Sequence, residues 1–292
     1  MNSFRWHGFA GLAIILAAEI FLFAGQPFVR TWFTPIVWTG YILFADALVY
    51  RKRNRSLLTA NFPAVPFMAL LSVLCWLVFE VYNLRLANWA YVGVPADPLQ
   101  RTLGYGWSFA TIFPGLFQTA DLLDAYGVFS RSQREPIRWT PAKLSLSFIT
   151  GLALVTLPAA LPVHIGAYLF GAVWIGFIFL LEPINYRLGA PSIFRDLEEG
   201  KTARLWQLLL AGLICGFLWE FWNYWAAGKW VYIFPMFQNF KLFEMPAPGF
   251  LGFPPFALEC FAMYSLCSRA LQIDHFGSAA FGSPLEQKRP QT

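Results

Sequence analysis

Seven acidic residues interrupt the apolar stretches of this 292-residue chain: Glu19, Asp46, Glu80, Asp121, Glu182, Glu220 and Glu259. Charge in hydrocarbon is costly, so each is a functional hypothesis by default. Asp46 and Glu182 lie shortly before Arg51 and Arg187, where a local ion pair or snorkelling satisfies them. Asp121 stands near an inner end in the same way. Glu80 and Glu220 differ, because each falls about 15 residues, or roughly 23 Å, into an outward-running helix. Glu259 and Glu19 reach about 16 Å along theirs, so the four could share one layer. No Lys or Arg of the spans lies at that level. A carboxyl group kept protonated by apolar surroundings is a general-acid candidate.

The neighbours narrow the chemistry. Asn83 and Asn223 share a helix face with Glu80 and Glu220 and are expected to orient them. One turn earlier Trp76 stands in one helix and Gly216 in the other, which predicts an asymmetric pocket. Trp219, Trp222 and Tyr82 crowd the same helix ends, and Trp230 and Tyr232 follow in the next loop. Acids in an aromatic box suit protonation of an alkene, with the carbocation sheltered by cation–π attraction. They also suit binding of a desolvated cation or proton. A Glu–Asn hydrogen-bond clamp between helices is the purely structural alternative.

The elements that must position these residues are membrane helices. The composition is 58% hydrophobic and 13% charged, far from a soluble domain. Apolar stretches long enough to cross a bilayer recur throughout. Their pattern predicts an all-α polytopic protein with about eight spans, near 8–25, 33–50, 64–84, 103–121, 144–162, 164–185, 205–226 and 248–269. With the N-terminus inside, inner segments hold sixteen of the 21 Lys and Arg residues, which predicts cytoplasmic N- and C-termini. The first span follows a single basic residue, Arg5, and contains Glu19, so it reads as a helix rather than a signal peptide.

The chain repeats. Cys75, Glu80, Asn83 and Phe113-Pro114 recur 140 residues later as Cys215, Glu220, Asn223 and Phe253-Pro254. Trp89 and Tyr91 recur at 141 as Trp230 and Tyr232, and Asp46, Tyr50 and Arg51 recur at 136 as Glu182, Tyr186 and Arg187. The expected units are 1–142 and 143–271, each of four helices, followed by a polar, disordered cytoplasmic tail at 272–292. An even span number makes the repeats parallel, related by an axis along the membrane normal, with a cleft between them. The four cysteines lie in apolar segments without a Cys-x-x-Cys pattern and read as buried hydrophobes. No phosphate loop, dinucleotide fingerprint or His-Glu-x-x-His motif is present. No metal, cofactor or nucleic-acid partner is expected.

Trp219-Glu220, closing an apolar run, resembles the Asn-x-x-Trp-Glu element of the membrane terpene cyclases of meroterpenoid and indole-diterpene pathways. Gly216 stands at the position of the Asn. Trp230-Val231-Tyr232 followed by Phe253-Pro254-Pro255-Phe256-Ala257-Leu258-Glu259-Cys260-Phe261 is similar to the lycopene cyclase membrane domain, with its Trp and Pro-x-Glu-Glu-x-x-Phe-Phe element. These resemblances imply an isoprenoid or carotenoid cyclase, an isomerase or lyase started by a buried acid. The expected enzyme takes a long apolar lipid between the repeats. Glu220, Glu80 and Glu259, with Asn223 and Asn83, form its catalytic set. Trp76, Trp219, Trp222, Tyr82, Trp230, Tyr232 and Glu19 form its substrate wall. Two other readings remain open, a proton- or cation-coupled transporter and a non-catalytic lipid-binding subunit. A homo-oligomer is compatible with each.

Overall fold

The computed structural model describes residues 3–273, so all but the first two residues of the predicted tail lie outside the described residues. The chain is mostly helical. Its elements are α1 (Trp6–Phe23), α2 (Pro27–Arg53), α3 (Leu57–Ala60), α4 (Ala64–Leu86), β1 (Trp89–Val92), α5 (Pro98–Ala110), α6 (Ile112–Ala125), α7 (Pro141–Ala160), α8 (Val163–Gly166), α9 (Phe170–Leu188), α10 (Ile193–Glu198), α11 (Ala203–Trp225), β2 (Lys229–Tyr232), β3 (Lys241–Leu242), β4 (Met245–Pro246) and α12 (Phe253–Ala270). Among the described residues, seven helical stretches are long and apolar enough to cross a membrane. The predicted fourth span, 103–121, differs: it divides at Thr111 into α5 and α6. Pro114 is the physical reason, since its ring excludes a helical carbonyl four residues earlier, at Ala110. Pro254 and Pro255 do the same at the start of α12, where a 3-10 turn, Ala247–Gly252, precedes the helix.

The segments that follow α4 and α11 form short strands. β1 and β2 pair antiparallel, with Trp89 opposite Tyr232 and Tyr91 opposite Trp230. This short ribbon, within an otherwise helical fold, ties the two parts of the chain together.

Several packing devices occur twice. Gly11 and Gly40 meet where α1 crosses α2: a Cβ on Gly40 would lie 2.8 Å from the carbonyl oxygen of Gly11. Gly151 and Gly176 serve the crossing of α7 and α9, with the backbone of Leu180 and the side chain of Val155 filling the space above them. Small residues let membrane helices approach this closely. Asp46 accepts from the Ser56 hydroxyl at 2.6 Å and the Leu58 amide at 3.0 Å. Glu182 accepts from the Ser192 hydroxyl at 2.7 Å and the Phe194 amide at 3.0 Å. Each acid therefore fastens the start of a short helix to a long one. The expected arginine partners are replaced by these donors, joined at Asp46 by Gln118 Nε2 at 2.8 Å and His7 Nε2 at 3.1 Å.

α2 is bent at Trp32, ahead of Pro35. The bend frees the carbonyl of Arg30, which accepts the Ala227 amide at 2.8 Å just before β2. At the matching break between α8 and α9, the Ala167 carbonyl accepts from Asn88 Nδ2 at 3.1 Å, just before β1. Helix breaks thus anchor both ends of the ribbon.

Candidate functional site

Beneath the ribbon lies a partly open cleft, with about 1110 Å³ of space between atoms counted out to its mouth. α2, α4, α5, α9, α11 and α12 contribute to its wall. The lining is dominated by rings, including Trp38, Trp76, Trp89, Trp174, Trp219, Trp230, Tyr91, Tyr232, Phe253 and Phe256. Aromatic surface of this kind receives hydrocarbon and shields positive charge. The charged lining residues are Arg101 and Lys229, and Lys229 is paired with Glu244 at 2.6 Å.

The acids stand behind this wall rather than in it. One oxygen of Glu80 accepts from Trp76 Nε1 at 2.9 Å, Trp89 Nε1 at 3.1 Å and the Tyr91 hydroxyl at 2.5 Å. Glu220, fully buried, accepts from the Tyr232 hydroxyl at 2.8 Å and Trp230 Nε1 at 3.2 Å. The donors line the cleft while the carboxyl groups do not. Trp76 reaches Glu80 because four residues make one helical turn. The other donors reach the acids because alternate ribbon residues share a face.

Asn83 and Asn223 do not serve as aligners of the acids. Asn83 donates to the Trp89 carbonyl at 3.0 Å and accepts the Asn88 amide at 2.8 Å. Asn223 donates to the Trp230 carbonyl at 2.8 Å and accepts the Trp230 amide at 3.0 Å. Both side chains stitch the ribbon backbone to a helix end. An amide both donates and accepts, which matches a strand's alternating backbone groups.

The remaining expected residues separate. Trp76, Trp219, Trp230 and Tyr232 line the cleft. The void expected at Gly216 is filled by the ring of Phe253. Trp222 packs against Trp38, at 5.2 Å between ring centroids, and donates to Glu19 at 3.2 Å on α1. Tyr82 donates to the Val155 carbonyl at 2.7 Å, away from the cleft. Among the described residues the four acids share no hydrogen-bond partner: Glu80 and Glu220 are joined through the ribbon, and Glu19 accepts from Trp222.

Glu259 is a case by itself. It is fully buried, neither oxygen has a hydrogen-bond partner among the described residues, and it lies in electrostatic reach of Cys75, Tyr82 and Cys260. Its counterpart 140 residues earlier, Thr119, is satisfied by the Gly115 carbonyl at 2.7 Å and the Tyr41 hydroxyl at 2.8 Å. At spacing 136 Tyr41 is replaced by Phe177, and the partner is lost.

Sequence reasoning missed Tyr91, Trp89, Trp38 and Trp174 as wall residues. Trp38 and Trp174 are 136 residues apart, the spacing of Asp46 and Glu182, and that signal was readable.

Fold and site together define a multi-pass helical membrane protein, by length and composition, with an aromatic cleft at one end. No protein-family model matches the chain, and no curated protein or solved structure compared with it is significantly similar.

Proposed function

We propose that this protein is a membrane-embedded enzyme that takes a long apolar isoprenoid or related lipid into the aromatic cleft and starts a cyclisation, isomerisation or hydration by protonation. The observation that carries the reading is the pairing of two cleft tyrosines with carboxyl groups behind them, Tyr91 with Glu80 and Tyr232 with Glu220. Proton delivery then runs through the phenol. Once the carboxyl is protonated, the hydroxyl that donates to it turns toward the substrate, and the carboxyl proton passes to the tyrosine oxygen as the phenol proton passes to a substrate carbon. The carboxylate remains behind the wall, and the carbocation rests among tryptophan faces. Loss of a proton from the cation, or capture by water, completes the reaction.

The architecture in this reading is two parallel four-helix repeats of residues 1–142 and 143–271, counting α5 with α6 as one bent span. Supporting it is the ribbon register. A shift of 141 carries Trp89 onto Trp230 and Tyr91 onto Tyr232, so the pair Trp89–Tyr232 maps onto the pair Trp230–Tyr91. Such self-complementary pairing is what a two-fold axis produces. Both termini then lie on the cytoplasmic side, with the ribbon on the outer side. The bilayer and an apolar lipid are its partners.

The test is Glu220→Gln and Tyr232→Phe, with isoprenoid lipids extracted and compared by mass spectrometry. Both variants are expected to lose product while remaining folded. Unchanged product from folded Glu220→Gln removes Glu220 as the acid. A second reading, lipid binding without chemistry, is favoured by the commitment of Glu80 to three ring donors. Under it neither variant alters any lipid.

A further inference from the structure

One wall of the cleft carries a polar stripe that proton delivery does not use. Arg101, Tyr105 and Ser108 all line the cleft. Their spacing of four and then three residues puts them on one face of α5. All three are half-buried, and neither hydroxyl is enclosed in the protein interior. Gly104, beside them, fixes the rotation of the helix, because a Cβ there would collide with the Trp32 ring.

The stripe has donors to spare. Among the described residues Arg101 forms no ion pair, and its guanidinium makes one long bond, to the Pro95 carbonyl at 3.5 Å. Asp97, one turn earlier, is occupied in capping α5, where it accepts the Gln100 amide at 2.8 Å. The other cation of the lining, Lys229, is already committed to Glu244 at 2.6 Å and the Tyr224 carbonyl at 3.3 Å. Neither the Tyr105 nor the Ser108 hydroxyl is hydrogen-bonded among the described residues: Tyr105 is held through its ring, stacked on Phe109 at 5.7 Å, and Ser108 through its carbonyl, which accepts from the Thr111 hydroxyl at 2.7 Å. The Arg101 charge is in electrostatic reach of the Tyr105 hydroxyl. Glu80 is in the same reach, but it is held by Trp76, Trp89 and Tyr91.

The matching positions of the second half are different. At spacing 140, Tyr105 and Ser108 correspond to Met245 and Pro248. These two line an adjoining cavity, with about 760 Å³ of space between atoms counted out to its mouth. Trp89, Trp174 and Tyr232 border both cavities. A long molecule with one end at α5 therefore has room to continue beneath the ribbon.

We propose that Arg101, Tyr105 and Ser108 bind a phosphate head group on a single apolar chain, so that the cleft ligand is a phosphorylated lipid. A guanidinium presents its donors in a planar fork that matches paired anionic oxygens. Two hydroxyls on the same face add donors for a further oxygen, which an alcohol does not have and a phosphate does. Tyr91 lies beside Tyr105, at 4.8 Å between ring centroids, so a head at the stripe brings the start of the chain to Tyr91 and sets the direction of entry. This inference rests on the lipid-binding cleft proposed above and names the head group of that lipid.

The experiment is binding of tritiated geranylgeranyl monophosphate, and of tritiated geranylgeraniol, to the purified full chain in detergent by scintillation proximity. The phosphate is expected to bind roughly ten- to a hundred-fold tighter than the alcohol. Arg101→Gln should bring that ratio toward unity, and Arg101→Lys should keep part of it. Tyr105→Phe combined with Ser108→Ala, which should also lower the ratio, provides a second variant should the first fail to fold. Equal wild-type binding of both molecules, or tighter binding of the alcohol, overturns the head-group site and leaves the cleft reading intact. An unchanged ratio in folded Arg101→Gln also overturns it. Inorganic phosphate at the same concentration should leave the labelled lipid bound; displacement by it would assign the stripe to free phosphate and overturn the lipid assignment. Binding of neither lipid overturns the cleft reading, and the head-group site falls with it.

Discussion

Trp89 lies directly opposite Tyr232 across the ribbon, and the two donate to different acids, Trp89 to Glu80 and Tyr232 to Glu220. One cross-strand pair therefore links both carboxyl groups. The ribbon is a mechanical bridge as well as a wall, since moving either strand disturbs both clamps.

This predicts a sharp contrast between substitutions that keep an acceptor and those that remove it. Glu80→Gln retains an oxygen for Trp76, Trp89 and Tyr91, and should cost less than about 1 kcal/mol of stability. Glu80→Leu strands three donors and should cost about 2–4 kcal/mol, because an unsatisfied buried donor costs more than a hydrogen bond contributes. Thermal unfolding of the two variants in detergent measures the difference. Equal unfolding temperatures would show that the clamp does not hold the ribbon.

The ribbon tyrosines also predict a pH effect. Burial, and then the neighbouring Glu80 or Glu220 charge, pushes the phenols of Tyr91 and Tyr232 well above the usual tyrosine value of 10.0. The folded state keeps these protons while the unfolded state releases them. Their contribution is fully present below pH 10 and is lost as pH rises from there through the folded value. Stability should fall with alkaline pH in this window. The slope should be shallower in Tyr232→Phe than in the wild type, read as unfolding temperature between pH 9 and pH 11, chosen to span roughly a unit either side.

A third prediction concerns helix crossings. Gly151 sits against the backbone of Leu180, which cannot move aside as a side chain can. Gly151→Ala should destabilise the chain by about 1–3 kcal/mol, as overpacking does. Gly171→Ala, where a Cβ meets open space, should be neutral or slightly stabilising. Parallel unfolding curves for the two variants check this, and matching losses would mean that backbone entropy rather than the crossing sets the cost.

Much of this was legible because hydropathy and repetition report on burial directly. The spacing of Glu80 and Asn83 from Glu220 and Asn223 located both clamps, and the conserved offset of Trp89 and Tyr91 marked both strands. Their meaning was not legible, since pairing between distant segments depends on register. A loop rich in aromatics and a ribbon folded over a cleft share one composition. Gly216 looked like a void because its neighbour in space, Phe253, is remote in sequence. Asp46 looked like half of an arginine ion pair, yet Ser56, Gln118 and His7 reach it from three other segments.

The last prediction tests the orientation proposed from the sixteen-to-five distribution of Lys and Arg. In a variant lacking the four native cysteines, single cysteines are placed at exposed loop positions: Ala96→Cys and Asn239→Cys near the ribbon, Ser130→Cys and Glu199→Cys at the other end. A membrane-impermeant maleimide applied to intact cells should label positions 96 and 239. Positions 130 and 199 should react only after permeabilisation. The pairs matter because they test two things separately. If 96 and 239 label together but from the inside, the repeats are parallel and the orientation is reversed. If they label from opposite sides, parallel repeats are ruled out, and with them the two-fold relation that the register of Trp89 with Tyr232 supports.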